Sequence, residues 1–379
     1  MPKLAILHFS PIELYPPALN WIHFLAERLP ADWRVDVYTM HPPAAYPAFL
    51  SPSPGIRIRR YGRAESGQGA VRYLNYCRYH LRTLLSLAVR RPDIVLYYET
   101  LSALPALTYK RWLRRNSRLF IHYHEYTTPQ EYQEGMRLAT WQHRMERKCY
   151  PAAEWVSHTN EDRNRSFKAD LEGIAIAPLR LLPNYPPASW VKRGGLREGP
   201  GRPLKLVYVG ALSLHTMYTR QLASWVSSQR GEVTWDIYTG NATGEALDFL
   251  RSCDPALIRL HAAVNYYALP EALAGYDVGV IIYNGSIPNY IYNAPNKLFE
   301  YWACGLDVWL SDKLKSSLPF INKGVFPKII GLNFADLSGF DWRQAVVREG
   351  LEARPSSYSA ETALDVLWKK MQEKPSVSV

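Results

Sequence analysis

Along the first half of the chain, short apolar runs alternate with stretches whose apolar residues recur every three or four positions. KLAILHF reads as a strand, LNWIHFLAERL as an amphipathic helix and WRVDVYTM as a strand, which together make one β-α-β unit. The alternation continues through the strand IRIRRYG, a long helix over residues 71–90, the buried-strand run DIVLYYE, a helix over 104–115 and the strand RLFIHYHEY. A helix over 130–149 then leads to EWVSHTN and to two short strand-like segments, GIAIA and LRLLP. From Asn184 to Leu204 the sequence is crowded with Pro, Gly and charge, as a linker would be. The pattern then restarts. KLVYVGAL, VTWDIYTG, IRLHAAV, DVGVIIY and LDVWLS are strands, separated by helices over 218–229, 245–253, 267–273 and 295–304. A last amphipathic helix covers 360–372, and EKPSVSV reads as a frayed tail.

Two successive α/β series of similar length predict two doubly wound Rossmann-like domains facing an interdomain cleft. The expected boundaries are residues 1–187, a linker over 188–203, a second domain over 204–355, and a terminal helix and tail over 356–379. The 379 residues are ample for this, at roughly 100–200 residues per domain.

Cys77, Cys149, Cys253 and Cys304 lie far apart with no C-x-x-C pair, which argues against a zinc site and against a disulfide-stapled scaffold. The opening MPKLAILHFSPIELYPP lacks the basic flank and cleavage site of a signal peptide, and no apolar run is long enough to cross a bilayer. The expectation is a cytoplasmic protein, or one resting on the inner face of the plasma membrane.

The formal charge of +11 is unevenly placed. From Ile56 to Arg118 there are 14 Lys and Arg against Glu65, Asp93 and Glu99. Here arginines interleave with Trp, Tyr and Leu, a mixture suited to an anionic membrane surface. No nucleic-acid-binding module is present, so nucleic acid is not the expected partner. Solvated helix faces, with arginines lying over their own core, are the plain alternative.

The sharpest motif is N-A-P-N-K-L-F-E-Y-W-A-C-G, Asn293 to Gly305, which reads as a helix with Pro295 inside its start and Gly305 just past its end. Its N-terminus offers open backbone N–H groups and Lys297 adds a full charge, which suits a diphosphate. Glu300, one turn after Asn296, could accept hydrogen bonds from vicinal hydroxyls. The alternative is an ordinary capped helix with a Lys–Glu pair. Elsewhere, His122 and His124 alternate on a strand and so face the same way, without a third ligand to suggest a metal.

These elements resemble the glycosyltransferase family 4-like group, which has the two-Rossmann GT-B fold. Pro295-Asn296-Lys297-Leu298-Phe299-Glu300-Tyr301 looks like its donor-site helix. IHYHEY, TWQHRMERKCYPAAEWVSHTNEDR, the LPN ending at Asn184, VYVGAL and YDVGVIIY follow in the family's order. The resemblance implies a metal-independent, retaining hexosyltransferase of cell-surface polysaccharide or glycoconjugate assembly. Its donor is a UDP or GDP sugar and its acceptor a glycan or lipid-linked molecule, with no further cofactor. It implies that Gly210, Ala211, Asn296, Lys297 and Leu298 hold the diphosphate, Glu300 the ribose, and that His124 and Glu300 serve the transferred sugar. The family's cations after the first strand of the second domain are replaced by Ala211-Leu212, for which His215 or Arg220 could substitute. Tyr292 stands where members with a pair of glutamates have the first of them, and Tyr15-Pro16-Pro17 where a Gly-Gly pair is expected. These departures keep open the alternative of a catalytically degenerate protein acting as a partner in a glycan-assembly complex.

Overall fold

A computed structural model describes residues 1–44, 46–63, 70–135, 137–191 and 203–373. Most of the expected linker, the tail after Glu373 and Glu65 of the basic region lie outside these residues. The chain divides into two compact units, residues 1–184 with 360–379, and 185–359.

The first unit is built on seven parallel strands: β1 (Lys3–His8), β2 (Arg34–His41), β3 (Ile56–Arg63), β4 (Ile94–Tyr98), β5 (Arg118–Tyr123), β6 (Trp155–His158) and β7 (Arg180–Leu181). Their order is β3-β2-β1-β4-β5-β6-β7, so β1 pairs with both β2 and β4 and the order reverses between β1 and β4. β4 and β5 are buried along their whole length, which is why their sequences read as unbroken apolar runs.

Three sequence expectations change here, and the terminal helix finds its place. The stretch GIAIA forms no strand, because Arg180–Leu181 takes the pairing edge of β6 while Ile174 and Ile176 pack against the apolar core instead. The helix expected over 130–149 is two, Pro129–Glu134 and Arg137–Cys149; the first ends at Gly135, and Thr128 and Glu131 form a reciprocal cap at its start. The helix expected over 104–115 is Ala103–Thr108 followed by a wide π-type turn, Tyr109–Leu113. The final helix, Ala360–Gln372, belongs to the first unit. Trp368 packs edge-on against Trp21 and Trp33, and Arg118 donates to the carbonyls of Lys370, Met371 and Glu373. That guanidinium satisfies carbonyls that a helix end leaves open.

The second unit has β8 (Leu204–Val209), β9 (Val233–Tyr238), β10 (Ile258–His261), β11 (Val278–Ile281), β12 (Asp307–Ser311) and β14 (Ile329–Leu332) in a six-stranded sheet. The order is β10-β9-β8-β11-β12-β14, all parallel, reversing between β8 and β11. Two short strands, β13 (Val325–Phe326) and β15 (Glu352–Ala353), pair separately. In both units the carboxyl ends of the strands at the reversal form the natural ligand position of a doubly wound sheet.

Candidate functional site

In the second unit the reversal point carries Gly210, which follows β8, Tyr283, which follows β11, and the helix Asn296–Ala303. Pro295 caps that helix from outside and is not its first residue; no side chain bonds the first turn. Leu298 is turned into the core and its N–H is taken by the Pro295 carbonyl. The groups left to meet an anion are therefore the first-turn N–H groups of Asn296 and Lys297.

Lys297 Nζ donates to the Tyr283 hydroxyl at 3.2 Å and lies over the rings of Tyr208 and Tyr283 at 5.6 and 5.7 Å. Burial acts to lower its pKa, but Tyr283 and Glu300 outweigh it and hold the ammonium above its ordinary value. One of its three N–H groups is used in this way. Gly210, at φ +135°, lies directly beneath it. The Tyr208 hydroxyl bonds the Ala211 carbonyl at 2.6 Å, and the Tyr301 hydroxyl accepts the Val209 N–H at 3.0 Å, so helix and strand end are locked together. Glu300 is buried, and burial pushes its carboxyl up to about 7, with Lys297 opposing the rise.

His215 lies beside the Tyr283 end of this cluster, its carbonyl accepting from Asn284 at 2.8 Å, and Arg220 follows in the next helix. Both are exposed and both are held by Glu245, at 2.9 and 3.1 Å. The Arg220 charge is answered by a carboxylate, in an exchange that solvent makes weak.

In the first unit, His124 follows β5 and is buried, its ring stacked on Tyr98 with centroids 4.9 Å apart. His122 and His124 do face the same side, 4.8 Å apart at right angles, but His122 is tied to Ser157 at 2.9 Å. Burial, joined by the neighbouring His122 and His8, drives His124 well below the usual imidazole range. It is a neutral ring at ordinary pH, so it can orient a hydroxyl but does not supply a positive charge. Tyr15, in the loop expected to carry Gly-Gly, lays its ring 4.4 Å from His8 and 5.8 Å from His124.

Three residues that the sequence did not single out belong to this region. His8 closes β1 and Glu99 follows β4; Glu146 is fully buried and accepts from Tyr97, Thr100 and Tyr123 at 2.7–2.9 Å. A carboxylate so surrounded by hydroxyls carries its hydrogen bonds into the core. The sequence signal was slight: an ionisable residue closing each of two buried strand runs.

No family model matches the chain, and no curated protein matches it by sequence. Solved structures do. The chain is similar to a sucrose-phosphate synthase from Thermosynechococcus elongatus at 13% identity and TM-score 0.67, over 98% of this chain and 97% of that one. It is similar to the lipopolysaccharide outer core galactosyltransferase WaaB at 11% and 0.58, over 97% and 99%. It is also similar to Anabaena HepE, solved with UDP-glucose, at 12% and 0.59, over 97% and 95%. At these identities the likeness is one of fold, and the fold is GT-B. The same fold also serves UDP-N-acetylglucosamine 2-epimerases, so it does not by itself choose a reaction.

Proposed function

We propose that the chain is a glycosyltransferase that moves a sugar from a UDP or GDP donor to a glycan or lipid-linked acceptor. The observation that carries this reading is Lys297, set at a helix N-terminus over Gly210 at the reversal point of the second sheet. That arrangement gathers the dipole end, first-turn N–H groups and an ammonium where a diphosphate would leave, which is how charge developing on a leaving group is stabilised. Glu300, on the same helix, is the partner for ribose hydroxyls, and His124 the neutral partner for a hydroxyl of the transferred sugar. Retention of configuration and metal independence are part of the proposal on the strength of the family resemblance.

The test is incubation with a panel of nucleotide sugars, following nucleoside diphosphate release with and without glycan acceptors. Release that depends on acceptor supports the transferase; binding of donors with no turnover under any acceptor supports the degenerate partner, and epimerised donor recovered without release supports the third chemistry of this fold.

The basic region favours a membrane surface as the place of work. The helix Ala70–Arg90 has no acidic residue, and Leu74, Leu81, Leu85 and Val89 are exposed on it beside Arg78 and Arg82. The neighbouring turn leaves Trp112 68% exposed, with Arg111 against its ring. Apolar groups among arginines are the composition of a face that lies in the headgroup layer. Among the described residues, five of the basic ones are paired with carboxylates: Arg59 and Arg90 with Asp36, Arg60 with Glu13, Arg114 with Asp93 and Arg118 with Glu154. No helix among the described residues is long and apolar enough to cross a membrane.

A further inference from the structure

The end of β5 runs out of sheet partners, because β4 pairs with it only as far as His122 and β6 only as far as Tyr123. The backbone groups of His124 and Glu125 lie beyond the ladder, and buried backbone groups must find partners elsewhere. Two ionisable side chains from neighbouring strand ends take them.

Glu99, which follows β4, accepts the N–H of His124 at 2.6 Å and that of Glu125 at 3.3 Å on a single oxygen, Oε1. Its own N–H donates to the His122 carbonyl at 3.2 Å, so one residue grips the end of β5 at three points. Arg163 comes from the other side. It stands in the first turn of the helix Glu161–Asp170 and is buried. Its guanidinium turns back past Thr159, to which it donates at 2.8 Å, and donates to the His124 carbonyl.

The grip is strained. Glu99 has φ 58° and ψ 153°, a region that glycine alone adopts readily, and such strain persists only where the surroundings enforce it. Glycine at this position would relieve the backbone and lose the carboxyl. The chain keeps the carboxyl.

The ring of His124 is held separately. It lies between Tyr98, 4.9 Å away and nearly parallel, and Tyr15, 5.8 Å away, with His122 edge-on at 4.8 Å and Asn184 as a polar neighbour. Stacking fixes the plane of a ring but lets it slide within that plane unless its backbone is fixed too. A misplacement of about 1 Å at a reacting centre can lower a rate about a hundredfold. Burial is the main force keeping His122, His124 and His158 uncharged, and the Arg163 charge adds to it in all three.

We infer that Glu99 and Arg163 are positioning residues, which clamp the His124–Glu125 turn from two sides and so aim the His124 ring. The inference rests on the transferase reading only in what the ring is aimed at, a hydroxyl of the transferred sugar. A tie that served the fold alone would let the strain be relieved without loss of function; the clamp predicts a folded protein that has lost its aim.

The experiment compares the parent with Glu99→Gly, Glu99→Gln and Arg163→Met, each as the intact chain carrying isotope-labelled histidine. Glu99→Gly is expected to fold, since glycine is relaxed at this φ and ψ. In the free protein the imidazole proton–nitrogen correlation of His124 should show one sharp neutral tautomer in the parent, and should broaden or double in Glu99→Gly and Arg163→Met. With the donor and acceptor that the nucleotide-sugar panel selects, kcat of these two variants should fall about tenfold or more while donor affinity stays within about threefold. Glu99→Gln keeps an acceptor oxygen for both N–H groups and should recover the parent spectrum and most of the lost kcat. If Arg163→Met does not fold, Arg163→Lys, which keeps the charge without the planar fork, should show the same broadening to a smaller degree. An unmoved His124 signal in Glu99→Gly, parent kcat in that variant, or a Glu99→Gln protein as impaired as Glu99→Gly would each overturn the inference. Absence of turnover from the parent under every donor sinks the transferase reading and leaves the clamp to be decided by the spectra; unmoved spectra with turnover intact sink the clamp and not the transferase.

Discussion

A β-carbon built on Gly210 would lie 2.7 Å from Lys297 Cε and 2.9 Å from its Nζ. A side chain at residue 210 would therefore have to push the end of the lysine aside, and the glycine's φ of +135° is one that other residues adopt only under strain. Gly210→Ala should displace Lys297 and cost about 1–3 kcal/mol of stability. Thermal melting checks the second effect and calorimetry with UDP or GDP the first; parent-like nucleotide affinity would separate Lys297 from the donor.

Lys297→Ala is expected to weaken nucleoside diphosphate binding by about 1.5–3 kcal/mol, the value of a hydrogen bond to a charged group. Because Lys297 also restrains the rise of the Glu300 pKa, the variant should move that carboxyl further upward, observable as a carboxyl resonance in a pH titration. A resonance that stays in place would mean the two charges do not interact.

His124→Ala should lower turnover more than donor affinity, because its proposed contact is with the reacting sugar and not the nucleotide. Unchanged turnover with a lower melting temperature would leave the ring a packing role against Tyr98.

Glu99 and Glu300 bind protons more tightly folded, at about 8 and about 7, than at their ordinary 4.5. Between 4.5 and those values the native state holds protons that the unfolded chain has released, so stability falls as pH rises through the window. His8, lowered from 6.5 to about 4, acts oppositely: stability rises with pH between those values. The combined Glu99→Gln, Glu300→Gln variant should lose the decline between pH 6.5 and 8 in urea denaturation, and retain the acid limb. An unaltered decline would assign it to other groups.

Co-sedimentation with vesicles containing anionic lipid should weaken with salt, and weaken further when Arg78, Arg82, Arg111 and Arg115 become Ser. Arg114 is better left alone, since its bond to Asp93 supports the fold. Vesicles ignored at low salt would give the basic face another partner.

The seven strands of the first sheet, five of the six in the second and the Asn296 helix could be read directly in the sequence, because most of the strands are apolar runs and the helix is well punctuated; β14 was not among the expected strands. The contact between Gly210 and Lys297 could not: V-G-A-L reads as any strand end, and the lysine arrives from 87 residues further on. Glu99 was hidden for a related reason. Its carboxyl partners, the His124 and Glu125 N–H groups, lie on another strand end, and nothing local in YYETL announces a positive φ. Pattern also misplaced GIAIA, whose apolar residues serve packing.

The return of the last helix to the first unit has a consequence for how the protein is made. Arg118 can find its carbonyl partners, and Trp21 and Trp33 their cover, only after residues 360–373 have been synthesised. The unit translated first is thus completed last, while the 185–359 unit folds as an insertion within it. During that interval Trp21 and Trp33 wait for the aromatic cover that Trp368 brings, so a ribosome stalled before residue 360 would present a client for chaperones in place of a finished domain.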